Sequence, residues 1–424
     1  MRKIRKLSDV PSGHLCCGCG ICAYLYPEKI RMVDVPSAGR RPVFTEKDGE
    51  QEVFADALEL CPGISLSHSA ETLSQKGVIS SLLKSWGPVL ELWEGYAVDP
   101  EIRYRGSSGG VMSALALYCL EREPVHGILH VSADETKPFL NRNILSKTRE
   151  SIVAAAGSRY SPASPCENMD LMDNSGGPCV FMGKPCDVAA VRKLEEKRPH
   201  RSGRTALSIG CFCAGTPSTG GTLEMLDRMG VDDPDTVTLL RYRGYGWPGK
   251  TRAESACSGA AGKSVSELDY SVSWGDILQK HRQWRCYICP DHTAEFADIS
   301  VGDPWYRETE KESSGRSLIL VRTRRGQNAL RKAVSRGYLF AEKVQPGVLP
   351  ASQFNLEKAR ARIWGQMAAL RLLHVPCPDY RGFHLFYSWW HTLGWNEKMR
   401  SFLGTVKRVF VKNLRKKPET PPYH

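Results

Sequence analysis

From residue 86 onward, short apolar runs alternate with segments whose apolar positions recur every three or four residues, the pattern of strands interleaved with helices. Strand-like runs fall at 88–98, 125–132, 178–183, 206–211, 236–242, 296–302 and 317–323. Helical periodicity follows at 109–121, 187–197, 222–229 and 327–336, and Gly230 and Gly337 stand as stops after the last two. The alternation predicts an α/β (α+β) fold whose mixed core lies between residues 86 and 345. Residues 1–65 are turn- and cysteine-rich with only short regular elements, and 65–84 reads as linker or helix. The stretch 357–424 is helical, aromatic and then basic, and reads as an appendage. There is no solenoid repeat and no low-complexity segment.

Composition sharpens this picture at one point. A chain of 424 residues with 41% hydrophobic and 25% charged positions is folded and globular, but its 15 cysteines are unusual. The basic N-terminal residues are not followed by an apolar signal region, and no apolar run approaches the roughly 18 residues that span a bilayer. A cytoplasmic location with reduced thiols is therefore expected, in which clustered cysteines bind metal or do redox chemistry. Of the net charge of +12, half comes from Lys407, Arg408, Lys412, Arg415, Lys416 and Lys417. The remainder is only mildly basic, which argues against a nucleic-acid-binding surface.

The cysteines carry the chemistry. Cys16, Cys19 and Cys22 form C-x2-C-x2-C on a glycine-punctuated loop, the bacterial ferredoxin spacing that brings three thiolates to one iron–sulfur cubane. Tyr26 stands where a fourth cysteine of that pattern belongs, so Cys61, followed by Pro62 and Gly63, is the candidate fourth ligand. The reading is a small ferredoxin-like iron–sulfur segment over 1–65; the competing one is a zinc knuckle. Cys17 is a bystander or a substitute for Cys16. A second set is Cys286 and Cys289 in C-x2-C-P, with Cys186 and Cys213 in strand-to-helix loops. Loops at neighbouring strand ends can gather such residues into a second cubane. Buried small side chains, or zinc held with His292, are the alternatives. Cys119, Cys166, Cys179, Cys257 and Cys377 show no local pattern and read as structural.

In chain order the motifs are CxxCGxC at 16–22, CPG at 61–63, YRGSSGG at 104–110, GSRY at 157–160 and GKPCDVAAVRK at 183–193. FCAGTPS at 212–218, RYRGYGWPG at 241–249, RCYIC at 285–289 and FADISVGDPW at 296–305 complete them. Together they resemble the coenzyme F-420 (F420, a deazaflavin) hydrogenase/dehydrogenase beta-subunit family, which includes the 7-hydroxymethyl chlorophyll a reductases. The resemblance runs from Cys16 to Arg336. It implies a flavoprotein oxidoreductase with FAD and [4Fe–4S] clusters, two by the count above. Such a protein passes electrons between a partner protein or ferredoxin and a small hydride carrier, F420 or an analogue. Departures are Tyr26 and the basic tail. A same-family reductase of another organic substrate, or a non-catalytic electron-transfer subunit, are the alternatives.

For the flavin, Arg105, Ser107, Ser108, Gly109 and Gly110 precede a helix whose N-terminal N–H groups suit a pyrophosphate, with Arg105 as a charged donor. An ordinary helix cap is the competing reading. Arg159 and Tyr160, on a Gly/Ser turn, are candidates to reach the ring or a phosphate. Asp303 is either a cofactor contact or a cap. Residues 244–251 also fit a P-loop string, but Pro248 lacks the N–H a phosphate cradle needs and no good helix follows. Finally, 402–417 mixes apolar and basic residues as an amphipathic helix would. Packing on the protein's own core, peripheral contact with an anionic membrane, and docking of an acidic partner remain open there.

Overall fold

The computed structural model describes residues 4–45, 53–201, 203–256, 263–307 and 314–418. At its N-terminal end β1 (Ile30–Val35) and β2 (Gly39–Phe44) form an antiparallel hairpin, and β3 (Ser65–Ser67) is a short strand. The apolar runs of the core pair into one large sheet. Its first strands are β4 (Glu91–Ala97), β5 (Ile128–Ala133), β6 (Asn141–Ser146), β7 (Cys179–Gly183) and β8 (Thr205–Cys211). A separate three-stranded antiparallel sheet follows, of β9 (Val237–Arg241), β10 (Lys250–Ala256) and β11 (Lys263–Asp269). Then β12 (Ile299–Gly302), β13 (Ser317–Val321) and β14 (Leu339–Lys343) complete the large sheet, in the order β14-β4-β13-β12-β8-β7-β5-β6. The final strand, β15 (Asp379–Arg381), lies parallel to β3.

The main helices are α1 (Val111–Arg122), α2 (Pro185–Lys197), α3 (Thr219–Arg228), α4 (Arg324–Ser335), α5 (Phe354–Leu372), α6 (Leu385–Thr392) and α7 (Trp395–Val411). Both faces of the sheet are covered. Leu115 of α1 and Leu330 of α4 pack with Ile319 and Val321 on one side, while Leu82, Trp86 and Leu349 meet Leu318 and Leu320 on the other. Burial on two faces explains why β13 reads as a continuous apolar run instead of alternating. Each such side chain contributes roughly 1.5–3 kcal/mol of burial.

Strand direction positions the site. β5, β7, β8 and β12 are mutually parallel, so the chain leaves β7 for Cys186, β8 for Cys213 and β12 for Asp303 at one edge of the sheet. The antiparallel β13 begins at that same edge, with Leu318 opposite Gly302 and Ser317 opposite Gly95 of β4.

Two expectations change and one holds. The stretch 65–84 is anchored through β3 and two short helices, Ala70–Leu73 and Ser80–Trp86. As expected, no helix opens at the P-loop-like string, since strand β10 begins at its Lys250. The appendage is integral: Leu370, Val375, Val409 and Leu414 share one core with Leu7, Val10, Leu15 and Met32. Of the cysteines without a pattern, Cys257 lies outside the described residues.

Candidate functional site

The N-terminal thiols are gathered by close backbone approach. Gly18 and Gly20 have φ of 71° and 89°, and a Cβ on Gly20 would come 2.8 Å from the Glu167 nitrogen. Cys61 ends the helix Ala55–Leu60, and a Cβ on the following Gly63 would stand 2.4 Å from the Leu15 carbonyl oxygen. This contact presses the Cys61 loop against the residue preceding Cys16. Burial pushes the Cys61 thiol up to about 11, and neighbouring Cys16 adds to the rise. Burial, then Cys16 and Cys61, hold Cys22 well above the ordinary thiol range. Cys19 is raised by burial, then by Cys166 and Cys61. The four predicted thiols thus share one electrostatic neighbourhood. Cys166, read as merely structural, adjoins it, with its N–H donating to the Cys19 carbonyl at 3.0 Å.

The second set also assembles. Burial raises Cys213 well above its ordinary value, helped by Cys211, Cys286 and Cys186. Burial pushes Cys289 up to about 12, opposed by Arg285 and reinforced by Asp291, Cys186 and Cys286. The Cys186 thiol is hydrogen-bonded to Cys17, the largest cause of its raised pKa. Cys17 therefore lies between the sets, beside Cys186 of the second and near Cys19 and Cys61 of the first. Helix α2 couples the two, since Cys186 lies in its first turn and Lys193 Nζ donates to the carbonyls of Cys61 and Ser65 at 3.4 and 3.0 Å.

Between the sets lies Arg285, which sequence reasoning passed over inside R-C-Y-I-C. It is buried, and donates from Nε to the Gly63 carbonyl at 3.2 Å and from Nη2 to the Pro62 carbonyl at 3.0 Å. Its Nη1 has no hydrogen-bond partner. Burial opposes its charge, and the groups that restore it are Tyr380 and the thiols of Cys17, Cys289 and Cys186. His292 is similar: Nδ1 faces the Cys213 carbonyl at 3.0 Å, while Nε2 is buried without a partner. Buried thiols that resist ionisation, next to an orphaned cationic N–H, fit thiolates bound to an iron core, which supplies positive charge to the sulfurs and sulfide acceptors to the donor. Among the described residues no three His, Cys, Asp or Glu side chains close on a single ion. In a [4Fe–4S] group each cysteine bonds a separate iron, so its thiols need not meet at one point.

The predicted flavin residues sit at the same edge of the large sheet. Gly109 N donates to Ser317 Oγ at 2.9 Å, Ser108 Oγ donates to the Arg316 carbonyl at 2.6 Å, and Ser107 Oγ accepts from Ser158 N at 2.5 Å. Neither serine caps α1. Its N-cap is Gly110, φ 72°, without a side-chain cap, so the N–H groups of its first turn have no capping hydroxyl. Arg105 pairs at the surface with Glu101, 3.2 Å away.

The GSRY residues are held by neighbouring protein groups. Arg159 donates to Asn141 Oδ1 and to the carbonyls of Leu240, Pro138 and Leu140 at 2.6–3.0 Å. Four of its five N–H donors bind protein atoms, so it clamps the loop after β5 to β9. Tyr160 lies in an aromatic box with Tyr242, Tyr270 and Trp274. Beside the box, buried Arg243 grips Asp303 with two bonds of 2.9 and 3.0 Å, and Trp247 Nε1 donates to Asp303 at 2.8 Å. Asp303 is thus an ion-pair partner and not a cap. The R-Y-R-G-Y-G-W-P-G string carried this signal, since an arginine among aromatics needs a carboxylate when buried.

The sequence that builds this edge of the sheet, with its thiol loops and aromatic, glycine-rich strings, matches known family models. Residues 92–169 match the model of the coenzyme F420 hydrogenase/dehydrogenase beta subunit N-terminal part, and 178–346 match that of its C-terminal part. The chain belongs to the coenzyme F420 hydrogenase/dehydrogenase beta-subunit family. It is 27% identical over 292 residues to the coenzyme F420 hydrogenase subunit beta of Methanococcus voltae, covering 66% of this chain and 95% of that one. It is 22% identical over 343 residues to the coenzyme F420-dependent sulfite reductase of Methanocaldococcus jannaschii, covering 76% of this chain and 46% of that protein. In fold it resembles a chain of the F420-reducing [NiFe] hydrogenase complex from Methanosarcina barkeri, with a TM-score of 0.52 at 21% identity over 80% of this chain and 98% of the other.

Proposed function

We propose that this chain is an F420-linked electron-transfer oxidoreductase subunit that holds two [4Fe–4S] clusters and FAD. The observation that carries the reading is the pair of thiol sets joined by Arg285, whose Nη1 is buried without a partner. Cys16, Cys19, Cys22 and Cys61 would hold one cluster, and Cys186, Cys213, Cys286 and Cys289 the other. The uncapped first turn of α1, with Ser107 to Gly110 before it and Arg105 at its side, would bind the flavin pyrophosphate. When bound, these groups supply one-electron transfer at the clusters and pairing of electrons into a hydride at the flavin. The chain's own part is to space the carriers, exclude water with its aromatic box, and fix the charges around the sulfurs. The relatives include a hydrogenase subunit and a sulfite reductase, which supports F420 as the hydride carrier and a partner protein as the other electron carrier.

Anaerobic purification or reconstitution tests this directly. The expected content is about eight iron and eight acid-labile sulfide per chain, with non-covalent FAD. Zinc in place of iron would overturn the reading. Cys286→Ser should remove one cluster and spare the other, and Cys61→Ser should do the converse. A second reading, a subunit that carries electrons without exchanging hydride, is favoured if the flavin-loaded chain fails to reduce F420 from a chemical donor.

A further inference from the structure

Ten of the nineteen large apolar side chains exposed among the described residues come after residue 353. Five of them lie on α7, which packs with an unexpected face. Ser401, Thr405 and Val409 are its buried residues, and they lie against α5 so closely that a Cβ on Gly365 would stand 2.1 Å from Ser401 Oγ. Trp389 Nε1 of α6 donates to the same hydroxyl at 3.1 Å. Two small polar residues and Val409 therefore face inward. Four larger apolar ones face outward: Trp395 is 71% exposed, Met399 41%, Leu403 54% and Phe410 55%.

At 3.6 residues per turn these four, with the half-buried Phe402 and Val406, fall within about 100° of arc, and Arg400 and Lys407 adjoin that arc. The stripe continues onto α6. The Lys398 ammonium lies 4.6 Å from the Trp390 ring, and Trp390 and Phe386 stack with each other and are each 53% exposed. From Lys398 to Lys417 there are eight Lys or Arg and no acidic residue.

We propose that α6 and α7 form a docking face for an anionic lipid surface. Protein interfaces are depleted in lysine, yet five of these eight cations are lysines. An apolar stripe bearing tryptophan, phenylalanine and leucine, bordered by Lys and Arg, is the composition that lies in the headgroup region of a bilayer. The positive edges complement anionic headgroups, and the apolar stripe enters the acyl boundary. The face lies outside the family-matched residues, which end at 346. No helix among the described residues is long and apolar enough to cross a membrane, so the contact is peripheral.

The test uses the full chain with phosphatidylcholine vesicles that contain or lack phosphatidylglycerol. Because α7 packs on α5, exposed side chains are replaced and no helix is removed. The chain should co-sediment with the anionic vesicles at low salt, and about tenfold less with neutral vesicles or at high salt. Trp395→Ser with Leu403→Ser and Phe410→Ser should keep the thermal midpoint and reduce binding at least about tenfold. Lys407→Glu with Lys412→Glu should weaken binding and flatten its salt dependence. Absence of anionic-vesicle binding, or equal binding by both variants, overturns the proposal. A concentration-dependent dimer that the triple serine variant dissolves would overturn it too, because the stripe would then be a self-association surface.

Discussion

Arg285 is a permanent charge that no carboxylate answers, held by two carbonyls of the Cys61 loop and directed toward thiols of the other set. A buried guanidinium in that position must be balanced by something negative. Thiolate-ligated clusters are negative, and each becomes more so on reduction, so Arg285 would favour the reduced state of a cluster bound beside it. At an effective dielectric of about 20 and a distance of about 6 Å, one charge is worth about 3 kcal/mol, on the order of 100 mV for one electron. Arg285→Gln should therefore lower a cluster potential by that order in an EPR-monitored redox titration, with iron content retained. Arg285→Lys should recover part of the shift, because it restores the charge and not the fork. An unchanged potential in the iron-replete Gln variant would make Arg285 a loop tether only.

At the scale of elements, two junctions carry predictions. The loop before α1 is fixed by its neighbours whether or not flavin is bound. A Cβ on Gly109 would meet the Gly95 carbonyl at 2.8 Å and the Arg316 backbone at 2.9 Å, and Gly110 has φ 72°. Gly109→Val with Gly110→Val should therefore lower the thermal midpoint as well as flavin content, so it cannot isolate the flavin contact. Arg105→Ala, at the surface, should weaken FAD binding while leaving the midpoint unchanged, as equilibrium dialysis and calorimetry would show. The second junction is between α5 and the core, where Arg360 pairs with Glu295, which His68 also contacts at 2.8 Å. Despite burial, Arg360 and then His68 hold the Glu295 carboxyl down at about 2, below its ordinary value of 4.5. The pair's contribution is thus full above pH 4.5 and is lost as pH falls toward 2. Glu295→Gln should flatten the decline in stability over that window. Arg360→Ala should destabilise by about 3 kcal/mol at neutral pH, because the buried Glu295 carboxylate loses its paired guanidinium and keeps His68 as its contact.

At the scale of the molecule, the N-terminal cysteine segment and the C-terminal helices are one structural body, because Leu370, Val409 and Leu414 pack with Leu7, Val10 and Cys16. The carbonyl of Lys416 even meets His14 Nε2 at 3.0 Å. Deleting the chain after residue 353 should therefore cost iron at the N-terminal site and not merely trim a tail. Iron analysis of that truncation against the full chain checks this, and undiminished iron would show that the N-terminal segment folds without α5 and α7.

What the sequence determined by itself was local. Period-two and period-3.6 patterns located β4, β5, β7, β8, β12 and β13 and helices α1 to α4 to within a few residues, because each buries its apolar positions against a neighbour. The C-x2-C spacings and the ordered motifs pointed to the thiol sets, since ligand spacing within a loop is a property of the loop. Tertiary structure decided what depends on distant partners. Cys17 meets Cys186 as well as the first set, because α2 delivers Cys186 beside the N-terminal loop. Arg159 became a clamp because the loop after β5 and strand β9 bring four acceptors to it. Helix α7 turned its apolar stripe outward because it buries Ser401 tightly against Gly365 of α5, with Thr405 and Val409 on the same inward face. A helical pattern shows which residues share a face, but the surface opposite decides which face is buried.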